Sequence, residues 1–213
     1  MSEGRDKAQT RDPERSREAI LDAAEQLFAA KGYEETSLQE IGQHAGVSRG
    51  TPNYFFGSKE QLYGAVLDRV FTAEQVAVLQ SLGSLSSETE EQPNLLTLAI
   101  SSFLDFLIAR PTFPRLIERE ALHDARFLKT RSAYLEVFKA GLDLIQAELA
   151  QGNTRSVDPV QLLLSIIALC WFPLVHTETF LSPLGIQAND PLFWESRKQH
   201  IIDLVRYGIM KRT

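Results

Sequence analysis

The sequence has few of the features that mark secreted, membrane-spanning or disulfide-bonded proteins. Its only cysteine, Cys170, lies in an apolar run, so the expected setting is a reducing cytoplasm and the expected role a buried, inert thiol. The longest apolar run, residues 162–175, is interrupted by Ser165 and Pro173, and a membrane span requires ~18 apolar residues. The first residues, MSEGRDKAQTRDPERSRE, lack the apolar core of a secretory signal. We therefore expect a cytoplasmic protein that does not contact a membrane.

Positive charge is also scarce. The formal net charge is −6 and the pI is near 5.3, which argues against indiscriminate binding to nucleic acid or membranes. Residues 1–71 hold nine Lys or Arg and twelve Asp or Glu, so this part is net negative as well. Residues 41–59, however, contain Arg49 and Lys59 and no carboxylate. A local site with a few phosphate contacts, aided by helix N-termini, remains compatible with this charge pattern.

Signatures of catalysis and of metal binding are missing from the sequence. There is no Ser/His/Asp triad pattern, no GxxxxGK loop and no GxGxxG. The four histidines, at 44, 123, 176 and 200, never show the HxxxH spacing of a helical metal site. Glu118 and Glu120 are two residues apart and so do not share a helix face. The sequence predicts no enzymatic activity, no metal and no cofactor.

Helix start and stop patterns, by contrast, recur along the whole chain. Asp-Pro occurs at residues 12–13, 158–159 and 190–191, each time before an amphipathic pattern, as expected for an aspartate N-cap with proline in the first turn. SLQE at 37–40 and SKEQ at 58–61 fit the capping box. Strand-like alternation and internal repeats are absent. We predict an all-α fold of about nine helices.

The predicted elements divide the chain into three parts. An N-terminal arm and helix-turn-helix domain is expected over 1–57, a connecting helix over 58–82, and a second helical domain over 83–213. Residues 83–93, GSLSSETEEQP, are acidic and serine-rich and predict an exposed, mobile connection. Further helices are expected at 94–109, 112–123, 126–150, 159–181 and 191–210.

The stretch HAGVS, residues 44–48, predicts the turn of a helix-turn-helix. Ala45 would permit close helix crossing, Gly46 would make the turn and Val47 would fill the core. Ser48 or Thr51 would cap the next helix, which carries proline in its first turn. Because a residue before proline disfavours helical geometry, a start at Pro52 itself is the alternative.

Residues 19–67, AILDAAEQLFAAKGYEETSLQEIGQHAGVSRGTPNYFFGSKEQLYGAVL, resemble the DNA-binding region of the TetR family of bacterial transcriptional regulators along their whole length. The resemblance implies a homodimer that binds an inverted-repeat operator in double-stranded DNA. It also implies repression relieved by a small molecule held in the second domain. An activator, or a ligand-independent DNA-binding protein of the same fold, is the alternative.

The resemblance assigns DNA contacts to positions of the helix-turn-helix. The expected contact residues are Thr36, Ser37, Ser48, Arg49, Gly50, Thr51, Asn53, Tyr54 and Lys59. Arginine suits guanine, and asparagine suits adenine or a phosphate. The family pattern commonly has tyrosine in place of Asn53 and histidine in place of Phe55, so the backbone contacts usual at these two positions are in doubt. Capping for the first two residues, packing for Tyr54 and a solvated side chain for Arg49 are the purely structural alternatives.

Basic residues precede the first helix and occur in its first turns. Arg11, Arg15 and Arg17 could form an arm that touches the minor groove or the DNA backbone. They alternate with Asp12 and Glu14, so a solvated arm is the alternative.

The second domain carries the dimerisation and ligand predictions. Helix 159–181 is apolar nearly all round and must be covered on every side, so helices 159–181 and 191–210 are expected to form the dimer interface; a monomer core is the alternative. Pro173 should kink the first of these helices and leave room for a polar contact. The candidate lining of a cavity for a partly apolar effector, or alternatively plain core, is Phe103, Phe106, Glu118, Leu122, Phe138, Leu142, Trp171 and His176.

Overall fold

The computed structural model of the protein describes residues 12–83, 94–151 and 154–211. Within these ranges the chain is helical, and its only β pairing is an isolated bridge between Thr154 and Met210. The all-α prediction is confirmed, and the nine α-helices of the described ranges equal the number predicted. They are α1 (Pro13–Lys31), α2 (Leu38–His44), α3 (Thr51–Phe56), α4 (Lys59–Gly83), α5 (Leu95–Ala109), α6 (Thr112–Ala121), α7 (Ser132–Ala150), α8 (Pro159–Val175) and α9 (Pro191–Ile209).

The chain forms two compact units, Met1–Leu67 and Asp68–Thr213, and the boundary between them falls inside α4. In the first unit, Ile20, Phe28 and Ile41 are fully buried, and the Phe28 and Tyr63 rings meet edge to face with their centroids 4.7 Å apart. The core of the second unit is supplied by α4 to α9, and its fully buried residues include Val70, Leu104, Leu116, Ile145, Cys170 and Ile201. All but the first residue of the predicted connection 83–93 lies outside the described residues, as does Arg11.

Each predicted Asp-Pro helix start is confirmed by its capping bond. Asp12, Asp158 and Asp190 each accept a hydrogen bond from the amide two residues ahead, at 3.1, 2.8 and 2.9 Å. Proline then occupies the first turn, where its missing N–H leaves no helical bond unmade. Local chemistry alone is enough to start these helices.

The two capping serines also act as predicted. Ser37 and Ser58 accept hydrogen bonds from the amides of Glu40 and Gln61, at 3.2 and 3.1 Å. The Glu40 carboxylate pairs with the Lys31 ammonium at the end of α1, and that hydrogen bond holds the pKa of Glu40 below its ordinary value. The pair links α1 to α2.

The predicted helix 126–150 begins six residues later, at Ser132. The residues before it form turns, in which Asp124 and Ala125 adopt positive φ angles of 56° and 53°. The carboxylate of Glu120, itself buried, accepts a hydrogen bond from the amide of Phe127 at 3.0 Å. This contact stabilises a turn that the helical periodicity of the sequence could not reveal.

The predicted helix 159–181 ends at Val175, and residues 177–181 form a π-helical turn instead. Pro173 has no N–H to donate to the carbonyl of Leu169, four residues earlier. The guanidinium of Arg197 on α9 donates to that carbonyl at 2.8 Å. The polar contact expected at the proline is therefore made by the protein itself.

Two further observations concern the apolar helices. Cys170 is fully buried, and burial raises the pKa of its thiol to about 12.

No single helix in the described ranges has the length and apolarity to cross a membrane. Two bent pairs of helices, 95–109 with 112–121 and 159–175 with 177–184, meet the requirement only when the two members of each pair are taken together, and then by length and composition alone.

Candidate nucleic-acid interface and ligand cavity

The turn between α2 and α3 is built on two glycines. Gly46 has a φ of +67°, a left-handed conformation that favours glycine, and the amide of Val47 donates to the carbonyl of Gly42 at 2.9 Å. Gly42 is buried, and a Cβ added there would lie 3.3 Å from the Pro52 ring and from the Ser48 carbonyl. The close approach predicted for Ala45 is therefore made at Gly42.

Helix α3 begins at Thr51, one residue before the alternative start. Its N-cap is Gly50, with φ −86° and ψ −12°, and no side chain caps the helix. The Ser48 hydroxyl lies 2.6 Å from the Thr51 hydroxyl, so the prediction that either residue caps the helix is wrong. Pro52 is buried, and its ring packs toward Gly42.

Most of the residues predicted to face DNA are exposed around α3. Ser48, Arg49, Gly50 and Asn53 are exposed and Thr51 is half-buried. Tyr54 has 83% of its surface exposed, the largest value among the exposed large apolar and aromatic side chains. A short helix with an exposed aromatic ring, an asparagine and an adjacent arginine is suited to contacts with base edges and sugars.

The neighbouring aromatic residues hold this helix. Phe55 and Phe56 are half-buried rather than core residues. The Phe55 ring lies edge to face against Tyr54, with centroids 5.3 Å apart. The guanidinium of Arg17 lies 5.2 Å from the Phe56 ring centroid, so one of the predicted arm residues contacts the protein itself.

Thr36 and Ser37, predicted as phosphate donors, lie in different environments. The Thr36 side chain is 1% exposed, and its hydroxyl donates to the carbonyl of Gly32 at 2.7 Å. It therefore stabilises the end of α1 and is not accessible to a phosphate. Ser37 caps α2 and is exposed, so its hydroxyl is still able to donate to a phosphate.

Lys59, at the start of α4, contacts the connection between α1 and α2. Its ammonium donates to the carbonyls of Tyr33 and Glu34, at 2.9 and 3.4 Å, and lies 4.3 Å from the Tyr33 ring centroid. An ammonium has three donors, so one remains for a phosphate. The structural role of this lysine could not be seen in the sequence because its partners are main-chain atoms 25 and 26 residues away.

The second unit contains a cavity of about 810 Å³ that is partly open to solvent and is lined mainly by residues of α4, α5, α6, α7 and α8. Of the residues predicted to line it, Phe103, Glu118, Phe138, Trp171 and His176 do so. Three others lie outside. Phe106 is buried against Phe113, with ring centroids 5.3 Å apart; Leu122, just past the end of α6, is 82% exposed; and Leu142 is not part of the wall.

Sequence reasoning missed Glu74, which is the one buried carboxylate among the described residues of the cavity wall. Glu74 is 6% exposed, and burial raises the pKa of its carboxyl to about 7. It lies one turn after Phe71 and one turn before Val78, both also in the wall. The sequence did contain a signal for this residue, since a carboxylate stands within an otherwise apolar face of the helix. Glu118, by contrast, accepts a hydrogen bond from the Trp171 indole at 2.7 Å.

Helices α8 and α9 both leave apolar side chains exposed in a single chain. On α8, Leu162, Ile166 and Cys170 are buried, whereas another stripe of the same helix is open. The exposed large apolar residues of the two helices are Val160, Leu164, Phe172, Leu192, Leu204 and Tyr207.

Comparison with known proteins covers both units. Residues 20–66 match the family described as "Bacterial regulatory proteins, tetR family", and residues 94–205 match "Tetracyclin repressor-like, C-terminal domain". The HTH-type transcriptional repressor NicS of Pseudomonas putida is 24% identical over 203 residues, covering 93% of this chain and 94% of NicS. The HTH-type transcriptional activator FasR of Mycolicibacterium smegmatis is 28% identical over 183 residues, covering 74% and 82%. A solved transcriptional-regulator structure from Streptomyces coelicolor aligns with a TM-score of 0.69 at 24% identity, covering 91% and 98%.

Proposed function

Because the chain belongs to the TetR family of bacterial regulatory proteins, we propose that it is a homodimeric transcriptional repressor released from its operator by a small molecule. The observation that carries the proposal is the exposed surface of α3 and its preceding turn, where Arg49, Asn53 and Tyr54 project from a rigid base. That base is the close packing of Gly42 on Pro52.

The proposed DNA contacts divide into two kinds. Arg49 and Asn53 read base edges in the major groove, because their side chains can make paired hydrogen bonds to guanine and adenine. Ser37, Tyr54 and Lys59 contact the DNA backbone and fix the orientation of the helix. Ser48, Gly50 and Thr51 form the short segment through which the backbone approaches the groove.

Dimerisation through α8 and α9 would bury the apolar side chains that a single chain leaves exposed on these helices. A symmetric dimer repeats each recognition helix, so the operator has two inverted half-sites. The alternative, in which α8 is simply the core of a monomer, would leave Leu192, Leu204 and Tyr207 exposed to water.

Helix α4 supplies the link between DNA and ligand. It contributes Lys59 to the first unit and Phe71 and Glu74 to the cavity wall of the second. A ligand that prefers one position of this helix over another changes operator affinity, and by linkage DNA changes ligand affinity by the same factor.

Footprinting with the purified protein on genomic fragments tests the proposal. We expect protection of an inverted repeat whose half-sites are separated by about one helical turn or more. Arg49→Ala should weaken binding to this site by about 1–3 kcal/mol and relax specificity at one base position. Lys139→Ala, which removes a positive charge from an exposed position of α7, is the matched control and should change little. Equal protection of unrelated sequences would contradict specific regulation.

Activation is the second candidate, and the similarity to FasR, a protein named as an activator, favours it specifically. A reporter gene fused to the protected promoter separates the two outcomes. Repression predicts that expression rises when the protein is removed. Activation predicts that expression falls.

A further inference from the structure

Carboxylates are the only groups in the cavity wall, among the described residues, that carry a full formal charge at neutral pH when histidine is counted as neutral. Among the described residues that line it, the carboxylates are Glu74, Glu118 and Glu136, and there is no lysine or arginine. Tyr134 and His176 are the other titratable groups of the wall. The rest of the lining is almost entirely aliphatic or aromatic. A ligand that enters this cavity meets negative charge without any fixed positive charge to balance it.

The three carboxylates are not equivalent. Glu118 and Glu136 are exposed, and the first accepts the Trp171 indole hydrogen bond. Glu74 is buried, and no hydrogen bond or ion pair to it is found among the residues that the structure describes. Burial is the cause of the raised pKa of its carboxyl, about 7. An unpaired buried carboxylate is costly, and a cation from outside would remove that cost.

Aromatic rings line the same cavity wall as this carboxylate. Phe71, one helical turn before Glu74, meets the rings of Phe113 and Tyr134 edge to face, with centroids 5.2 and 5.4 Å away. Phe113 in turn contacts Trp171, with centroids 5.7 Å apart. Aromatic faces attract cations, and quaternary ammonium groups in particular are bound by such clusters.

We propose that the cavity binds an amphipathic cation, an apolar body carrying an amine or quaternary ammonium group, with Glu74 as the counter-ion that selects it. The inference rests on the proposed function, in which this cavity is the effector site. It assigns the effector to a chemical class and excludes fatty acids and other apolar anions, since these would face three carboxylates without a lysine or arginine partner.

Calorimetric titration of the full chain with three probes of equal chain length tests this assignment. The probes are decyltrimethylammonium, decan-1-ol and decanoate, each below its micelle concentration, at pH 8. We expect the ammonium probe to bind about tenfold or more tightly than the other two, the factor of a charge-assisted interaction in a buried site. A preference for decanoate, equal affinities, or no binding of any probe would overturn the assignment.

Variants locate the effect at Glu74. Glu74→Gln keeps the size of the side chain and should weaken decyltrimethylammonium binding about tenfold while leaving decan-1-ol within about twofold. Glu74→Asp should keep the preference for the cation, and Glu136→Gln, at an exposed position, should change it by less than about threefold. Unchanged cation affinity in a folded Glu74→Gln variant would refute the role of Glu74.

The pH dependence provides an independent measurement. Ammonium binding needs an ionised carboxylate, so affinity should rise between pH 6 and pH 8 as Glu74 loses its proton. The other ionisable groups that face the cavity are His176, Tyr134, Glu118 and Glu136, and they are the same in the wild type and in Glu74→Gln. Most of the rise should therefore disappear in Glu74→Gln, and a rise that persists would contradict the proposal.

Operator release separates this inference from the proposed function. If decyltrimethylammonium binds with the expected selectivity but leaves the footprint intact, the cation site stands and ligand-released repression fails. If an anion or a neutral probe releases the operator instead, ligand-released repression stands and the cation site fails.

Discussion

At the scale of single residues, Thr36 and Glu74 are both buried polar side chains, but they differ in what their polar atoms face. Thr36 is 1% exposed, and its hydroxyl is satisfied by the carbonyl of Gly32 at 2.7 Å. Glu74 is 6% exposed, and its carboxyl faces a cavity whose wall is mostly apolar. The first side chain stabilises the fold; the second is costly to keep ionised there, as expected of a group retained for binding.

The raised pKa of Glu74 makes stability depend on pH. The carboxyl has a pKa of about 7 in the folded chain and an ordinary value of 4.5, so the native state binds the proton more tightly than the unfolded state. The stability from this group is fully present below 4.5 and is lost as pH rises toward 7. The loss amounts to about 3 kcal/mol at most.

Urea denaturation of the wild type and of Glu74→Gln between pH 5 and pH 8 measures this effect. The glutamine does not titrate, so the variant should not lose this stability as the pH rises. The free energy of unfolding of the variant minus that of the wild type should therefore increase by about 2 kcal/mol from pH 5 to pH 8. The same comparison with Glu136→Gln, at an exposed position, should be flat. A constant difference for Glu74→Gln would show that Glu74 is not desolvated.

At the scale of elements, glycine and proline are placed where another chain segment comes close or compensates. Pro173 lies within α8 and has no N–H to donate to the Leu169 carbonyl, and Arg197 from α9 donates to that carbonyl instead. In the recognition turn, Gly46 supplies a left-handed φ, whereas Gly50 has a φ of −86° and open space around its Cβ position. The backbone conformation therefore favours glycine at position 46, whereas neither the backbone conformation nor the neighbouring atoms of the chain require glycine at position 50.

Alanine at each glycine of the turn separates stability from DNA binding. Gly46→Ala places a Cβ in the left-handed region and should lower the free energy of unfolding by about 1–2 kcal/mol. Gly50→Ala adds a methyl group where nothing lies within 4 Å, so stability should be unchanged while operator affinity falls, because the added methyl group meets the DNA. Chemical denaturation and gel-shift titration measure the two effects. Wild-type operator affinity in Gly50→Ala would contradict the proposed approach of the backbone to the groove.

At the scale of the whole molecule, a single chain leaves large apolar side chains exposed on both α8 and α9. The stripe on α8 partly overlaps the cavity wall, since Leu164 and Phe172 belong to both. Leu204 and Tyr207 on α9 are exposed and do not line the cavity. The α9 residues therefore report on dimerisation without affecting the ligand site directly.

Leu204→Glu should disrupt the dimer. Placing a carboxylate in a buried apolar contact should raise the dimer dissociation constant at least about tenfold, as measured by sedimentation velocity over a range of concentrations. Leu135→Glu is the matched control, because Leu135 on α7 is 57% exposed compared with 49% for Leu204 and lies outside the predicted interface. Equal behaviour of the two variants, or a wild type that is monomeric throughout, would contradict a dimer through α9.

Much of the fold could be predicted because the signals that start and end its helices act over a few residues. Asp12, Asp158 and Asp190 each act on an amide two residues away, so sequence alone located these helix starts. The helix that begins at Ser132 was predicted to begin at residue 126. The error arose because the turns at 122–131 depend on a hydrogen bond from the Phe127 amide to the buried Glu120 carboxylate. The Ser48 cap failed for a similar reason, since its hydroxyl pairs with Thr51 rather than with an amide.

The sequence by itself determined the all-α class, the helix-turn-helix and the exposed Arg49, because capping bonds and apolar periodicity act within a few residues. Only the tertiary structure decided that Thr36 is buried, that Lys59 reaches the carbonyl of Tyr33, and that Phe106 packs in the core while Phe103 faces the cavity. Periodicity shows which side of a helix is apolar. Whether that side meets another side chain or an empty volume depends on the distant helices packed against it.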